Sequence, residues 1–478
     1  MNKLTMQRSA CLCGLIGMLC AGTFAQTPQK TKVVVTSPTQ SVVLPERVEL
    51  SDLEGTPENR NKERSKPYLK ELLKLRDKEG RDNALIHYTV ASWAVPNDPA
   101  RNHVLNSAVA MVVENGWGPQ TEIIAPLLEQ YQPALAEMRR GTALNYAKGI
   151  GCTNGWKTPV PNFFALKRTT QMLCVEGRYF ESQKQYAKAL ENYLNVLTVG
   201  ADCSGIENPM VGNEMAMSVQ EQALKSLSGV MVNGHLGQGD LEKISARLKQ
   251  IQKAMPSLRQ MVEADGVYHK NGFVQLAQKV KEGVEIAQRE NRDPNDVLKE
   301  IFKEDLGREE TMPPATWQNL DKVGEDYDTL QKLYLQFAET PFWNRNLSAK
   351  SGGEFKQLID ALKGLHPLIS VQMVDQQVIV VGYYRWLARI HAVQIEAELE
   401  LLRLEKGRYL ENEMFPAHFD TLAIDPFSGN PFGYSVAPNG QGYTLFSVGP
   451  SKGAGDVSVS YDSTNGSMSA GRLFFSKK

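Results

Sequence analysis

YYRWLARIHAVQIEAELELLRLEKGRYLENEM, residues 383–414, decides the fold of this 478-residue chain. Leu387, Ile390, Ala397, Leu401 and Leu404 fall on one stripe at helical spacing, while Arg385, Arg389, Glu396, Glu398 and Lys406 lie mostly off it. The pattern predicts a long helix with one buried side. Gly407 ends it, because glycine just past a helix accepts the left-handed conformation that satisfies the last carbonyls. Lys406 and Arg408 suit the negative end of the helix dipole, and Tyr409 can fold back onto the last turn. Downstream, LAIDPFSGNPFGYSVAPNGQGYTLFSVGP, residues 422–450, alternates at period two around Pro438-Asn439-Gly440-Gln441-Gly442. That predicts a β-hairpin. A second hairpin is expected, pairing Val457, Ser458, Val459, Ser460 and Tyr461 with Arg472, Leu473, Phe474 and Phe475 across Asn465-Gly466.

The motif set is specific. Leu404, Gly407 and Tyr409 close the helix; Asp425-Pro426, Gly429 and Pro431 form the turn; Gly442-Tyr443, Leu445, Ser447 and Gly449 follow. Over residues 385–450 this resembles the C-terminal half of the major pseudopilin of type II secretion systems. It also resembles bacterial envelope proteins that carry the same block after a long helical region. The resemblance implies a helix capped by a small sheet, an address outside the cytoplasm, and calcium bound in the loop after the sheet. The chain departs from the family in two places. The apolar run Val378-Ile379-Val380-Val381-Gly382-Tyr383-Tyr384 falls far short of the ~20 residues that span a bilayer, and no pseudopilin leader stands before it. The loop Pro450-Ser451-Lys452-Gly453-Ala454-Gly455-Asp456 offers a single carboxylate, so Asp456 is a weak metal candidate against the several oxygens calcium takes.

Residues 1–25 have a basic start (Lys3, Arg8), an apolar core and small exit residues, the layout of a cleaved secretory signal peptide. The expected address is the periplasm or envelope, or secretion beyond it. Cys20 after an apolar run leaves a lipid anchor as an alternative membrane tie. The formal charge of −1, lowered by two when Lys3 and Arg8 leave, argues against nucleic acid as a partner. Of the six cysteines, Cys152, Cys174 and Cys203 stay in the mature chain; their spacing fits no zinc pattern, and they read as small buried side chains or one disulfide with a spare thiol.

Residues 26–64 read as a polar tether. Residues 65–376 alternate helical patterns with short breakers, and residues 377–478 hold the long helix and β module. The fold class is therefore mainly α, a helical-hairpin array or bundle with a small C-terminal antiparallel module. Within residues 171–200, Leu173, Gly177, Phe180, Tyr186, Ala189, Tyr193 and Val196 resemble a tetratricopeptide hairpin, in which glycine and alanine permit close crossing of aromatic-bearing helices. Its cover is expected from the helices around Gln220, Ala223, Leu224 and Leu227 and around Leu241, Ile244, Leu248 and Ile251. Residues 291–314 read as a solvated helix and loop.

Chemistry-bearing patterns are sparse. The seven histidines are scattered without metal-ligand spacing, there is no Gly-x-Ser-x-Gly elbow, and no catalytic residue or cofactor is assigned. His391 reads as a surface or packing residue and the alternating Glu396, Glu398 and Glu400 as a solvated face. Trp317, Tyr327, Tyr334, Phe337, Phe342, Trp343, Tyr383, Tyr384 and Trp386 read as core first and as a peptide or sugar groove second. The leading functional expectation is a non-enzymatic envelope interaction or scaffold protein with a protein partner. The alternatives are an accessory component of a type II secretion or pilus-like apparatus, and a hydrolase without recognisable motif. The terminal module is expected to cap the helix by burying Tyr409, Pro426, Phe432, Tyr443 and Phe446.

Overall fold

The structure, a computed structural model, describes residues 60–95, 99–118, 121–205, 209–233, 236–306, 318–346, 353–370, 376–451, 460–461 and 471–477. The leader with Cys20, residues 26–59, Trp317 and the weak metal candidate Asp456 lie outside them.

Helix α1 (Arg60–Glu79) begins inside the stretch expected to be tether. Tyr68, Leu69, Leu72 and Leu73 give it a buried face, and that burial is what makes the segment helical. Then come α2 (Ala84–Ala91), α3 (Pro99–Asn115) and α4 (Thr121–Thr142). The Asn83 side chain caps α2 by accepting from Leu85 N, and Asn162 caps α5 (Phe163–Ser182) by accepting from Ala165 N. Helices α6 (Tyr186–Cys203), α7 (Met210–Val232) and α8 (Gln238–Ala254) follow. Neighbours stack pairwise: α2 on α4, α5 on α6, and α6 on both α7 and α8. In the α5–α6 hairpin a Cβ on Gly177 would come within 2.4 Å of the Tyr193 ring, so the glycine sets how closely the two helices cross. The expected cover is in place, with Gln220, Ala223, Leu224 and Leu227 of α7 and Leu241, Ile244, Leu248 and Ile251 of α8 all buried.

Helix α9 (Leu258–Glu290) starts with a Ser257/Gln260 capping box and stops at left-handed Asn291. It carries α10 (Pro294–Leu306) and α11 (Val323–Glu339) on its flank. Residues 291–306 of the segment expected to be solvated in fact pack, since α10 buries Val297, Leu298 and Phe302, and residues 307–314 lie outside the described residues. Two short helices, α12 (Glu354–Leu362) and α13 (Pro367–Ser370), lead to α14 (Gln376–Lys406), and α15 (Phe415–Phe419) comes after it.

Helix α14 corrects the expectation of a single buried stripe. It packs against both α7 and α8 and also against strands of the terminal module. Trp386, Ala388, Ile390, Ala392, Val393, Ile395, Ala397 and Leu399 are all buried, whereas Leu387 and Leu401 are half-buried and Leu404 is exposed. A helix covered over most of its circumference needs no narrow apolar stripe.

Strands β1 (Gly433–Val436), β2 (Tyr443–Ser447) and β3 (Leu473–Lys477) form an antiparallel sheet in that order. The first hairpin is as expected, with Val436 opposite Tyr443. The second differs. The segment from Leu473 pairs with β2, in a register that shifts between Leu445 and Phe446, and what joins Ser460 to Arg472 is an isolated parallel bridge. Period two then fixes the faces: Tyr443, Leu445 and Ser447 point inward and are buried, while Phe446 is half-buried on the other face, close over Gly433 and beside Phe474. Of the expected cap residues, Tyr409, Pro426, Phe432 and Tyr443 are buried and Phe446 is not.

Candidate functional site

The seam between α7 and α14 holds charges where water is scarce. Gln220 of α7 donates to Leu197 O at 3.0 Å and accepts from Trp386 Nε1 at 2.6 Å. Beside it Arg385 pairs with Glu221 through two bonds of 2.6 and 2.8 Å. Burial opposes both charges, yet each holds the other ionised: the Arg385 guanidinium is pushed up and the Glu221 carboxyl down. Arg389, lowered by burial, lies 5.0 Å from the Phe475 ring with Glu221 and Glu396 acting on it. Arg385 Nη1 also reaches the Tyr461 hydroxyl at 3.5 Å, and Ser228 of α7 donates to Phe475 O at 3.4 Å. Strand β3 and the Tyr461 segment are thus pinned to the helices by arginines.

This seam overturns the solvated-face expectation for the glutamates. Glu396 is fully buried and Glu400 nearly so, while Glu398 keeps an exposed side chain. Glu400 accepts from the Tyr409 hydroxyl at 2.6 Å and pairs with Arg403 at 2.8 Å. Tyr409 does fold back on the last turn after Gly407, which is left-handed at φ 73°. The helix end, the tyrosine and the buried carboxylate form one unit.

Asp425 organises the turn before β1. Its Oδ1 accepts from Phe427 N at 3.0 Å and Ser447 Oγ at 2.8 Å, and its Oδ2 from Val448 N at 2.9 Å. Burial raises its carboxyl and these bonds oppose the rise. The Asp-Pro motif, legible as a turn, is therefore also the stitch between that turn and the end of β2.

Glu214 on α7 is among the described side chains suited to exchange a proton near neutral pH. Burial pushes it up to about 7, Asp265 adds to the rise and Lys167 opposes it. Asp265 Oδ1 accepts from Met210 N at 2.9 Å, and its Oδ2 lies 3.5 Å from His269 Nε2. Trp156 Nε1 donates to His269 Nδ1 at 3.3 Å, which puts the neutral ring's proton on Nε2, facing Asp265. Asp265 and His269 stand one turn apart on α9, a spacing the sequence carries, whereas Trp156, Lys167 and Glu214 come from other elements and nothing in the sequence joins them to this pair.

The remaining candidates are structural. Cys152, Cys174 and Cys203 are buried thiols, and burial pushes the Cys174 thiol up to about 12. A cavity lined by Tyr68, Tyr88, Phe163 and Cys203 measures about 10 Å³, room for one water. Tyr327, Tyr334, Phe337, Phe342, Tyr384 and Trp386 are core; Tyr383 is half-buried, and Trp343 is exposed with its ring over Gly429. His391, half-buried on α14, faces α8, with Nε2 2.8 Å from Gln252 Nε2. Among the described residues no helix is long and apolar enough to cross a membrane, and no three His, Cys, Asp or Glu side chains converge as metal ligands. Comparison of the chain with known families, characterised proteins and solved structures finds no match.

Proposed function

We propose that the protein is an exported, non-enzymatic scaffold of the cell envelope that presents its helical hairpins to a protein partner. The observation that carries this reading is the seam of Gln220, Glu221, Arg385 and Trp386, which ties the terminal module to the hairpin array. A module fastened in this way serves as a brace for the array, and the tetratricopeptide-like hairpin α5–α6 belongs to the braced part. Helical-hairpin arrays bind partners along extended faces. The test is cross-linking in intact cells followed by identification of the captured protein and N-terminal sequencing of the product. Recovery of an envelope partner with a chain starting after Ala25 supports the reading. A cytoplasmic chain retaining residues 1–25 overturns it.

A second reading, an accessory component of a type II secretion or pilus-like apparatus, is favoured by the Gly407–Tyr409–Glu400 helix end built together with the Asp425 turn. Co-purification with the secretion machinery separates it from the first.

A further inference from the structure

Helix α2 is fastened by two adjacent side chains, and each fastening depends on a proton. His87 Nδ1 lies 2.6 Å from Glu137 Oε1 on α4, and its Nε2 lies 3.0 Å from Asp82 Oδ2 in the turn before α2. A neutral imidazole has one N–H and can donate to one carboxylate; the imidazolium donates to both. Next to it, the Tyr88 hydroxyl donates to Asp202 Oδ2 on α6 at 2.6 Å. The Tyr88 ring sits where a Cβ on Gly141 of α4 would approach within 2.4 Å. The other charged groups facing this junction are Arg140, paired with Glu137 at 3.1 Å, Arg76 of α1 acting on Asp82, and Arg247 of α8 acting on Asp202, which also acts on the Cys203 thiol beside it.

We propose that the proton on His87 closes a clamp holding α1 and α2 against α4, and that the clamp opens as the medium turns alkaline. Burial works against the charged ring, but the Glu137 and Asp82 carboxylates outweigh it and hold His87 above its ordinary 6.5. Its contribution to stability is therefore full below 6.5 and is lost as pH rises through the folded value. Asp202, pushed up to about 6 by burial, acts with the same sign, its share fading as pH rises through that value. Burial raises Asp82, but its bond to His87 leads the effects that bring it below 3.8, so its share is lost only in stronger acid. The clamp is closed between these limits.

Hydrogen exchange of the full chain, followed by mass spectrometry from pH 6 to 9 and corrected for intrinsic rates, tests this. Opening of residues 60–91 should rise on the order of tenfold across that range, the effect of losing one charge-assisted hydrogen bond. Residues 387–402 serve as the reference and should stay level. His87→Gln should open residues 60–91 already at pH 6 and flatten the profile, and Glu137→Gln should reduce its slope. A level profile in the unmodified chain, or an unchanged slope in both variants, overturns the proposal. If His87→Gln does not fold, the slope in Glu137→Gln decides alone.

Discussion

His391 shows how a single desolvated ring carries a pH response. Gln394 donates to Gln252 Oε1 at 2.8 Å, and the Gln252 amide lies 2.8 Å from His391 Nε2. Burial pushes the ring down to about 4 from 6.5, with the Ile424 backbone opposing. Between those values the unfolded chain binds more protons than the folded one, so stability is intact above 6.5 and falls as pH drops toward 4. The loss from this residue amounts to ~3 kcal/mol over the window. Urea unfolding at pH 4.5, 5.5 and 7.0 should show a shallower acid decline in His391→Gln than in the unmodified chain; parallel declines would refute the assignment. The sequence marked His391 as packing or surface. Only its place against Gln252 of the neighbouring helix decides that it is a largely desolvated ring, held neutral.

At the scale of elements, two pairs of substitutions separate packing from propensity. Gly177 and Gly229 both sit inside helices, where Gly→Ala gains up to ~1 kcal/mol of helix propensity. A Cβ at Gly177 meets the Tyr193 ring at 2.4 Å, whereas nothing lies within 4 Å of one at Gly229. Overpacking costs roughly 1–3 kcal/mol, so Gly177→Ala should destabilise and Gly229→Ala should not, as thermal unfolding of the two would report. In the sheet, Leu445 is fully buried and Phe446 is half-buried on the opposite face. Leu445→Ala should cost about 2–5 kcal/mol and Phe446→Ala about 1–2 kcal/mol. Chemical denaturation that ranks them in the reverse order would show the strand's faces to be swapped. The hairpin itself was legible from its turn and alternation. Which face met the core was not, because the pattern Tyr-Thr-Leu-Phe-Ser-Val carries apolar residues on both.

For the molecule as a whole, the question is whether the terminal module and the hairpin array unfold together. Removing one partner of a buried ion pair costs 3–5 kcal/mol, largely through the charge left behind. Arg385 and Glu221 keep some exposure, 22% and 13% of their side chains, so Arg385→Met should cost about 3 kcal/mol, the low end of that range. Arg385→Met combined with Glu221→Leu should recover most of it. Unfolding followed at once by helix circular dichroism and tryptophan fluorescence should give coincident transitions in the unmodified chain. In Arg385→Met alone the module's transition should move earlier. A full, uncorrected loss in the double variant would mean that the pair is not what joins the two parts.

Local pattern was enough for whatever depends on neighbours in sequence. The mainly helical class, the α5–α6 hairpin with Gly177 at its crossing, the apolar faces of α7 and α8, the Gly407 stop and the β1–β2 turn all follow from spacing and turn chemistry. Tertiary structure decided what depends on neighbours in space. Only when α14 packs on both α7 and α8 do Glu396 and Glu400, read along the helix as a wet face, become buried charges beside Arg389, Arg403 and Tyr409. The same holds for β3, whose partner is β2 across a long connection, and for Glu214, which meets Asp265 only because α7 and α9 do. Periodicity records which side of a helix is apolar, but an ion pair or a strand partner is set by distance in the folded chain, and spacing along the sequence does not encode that distance.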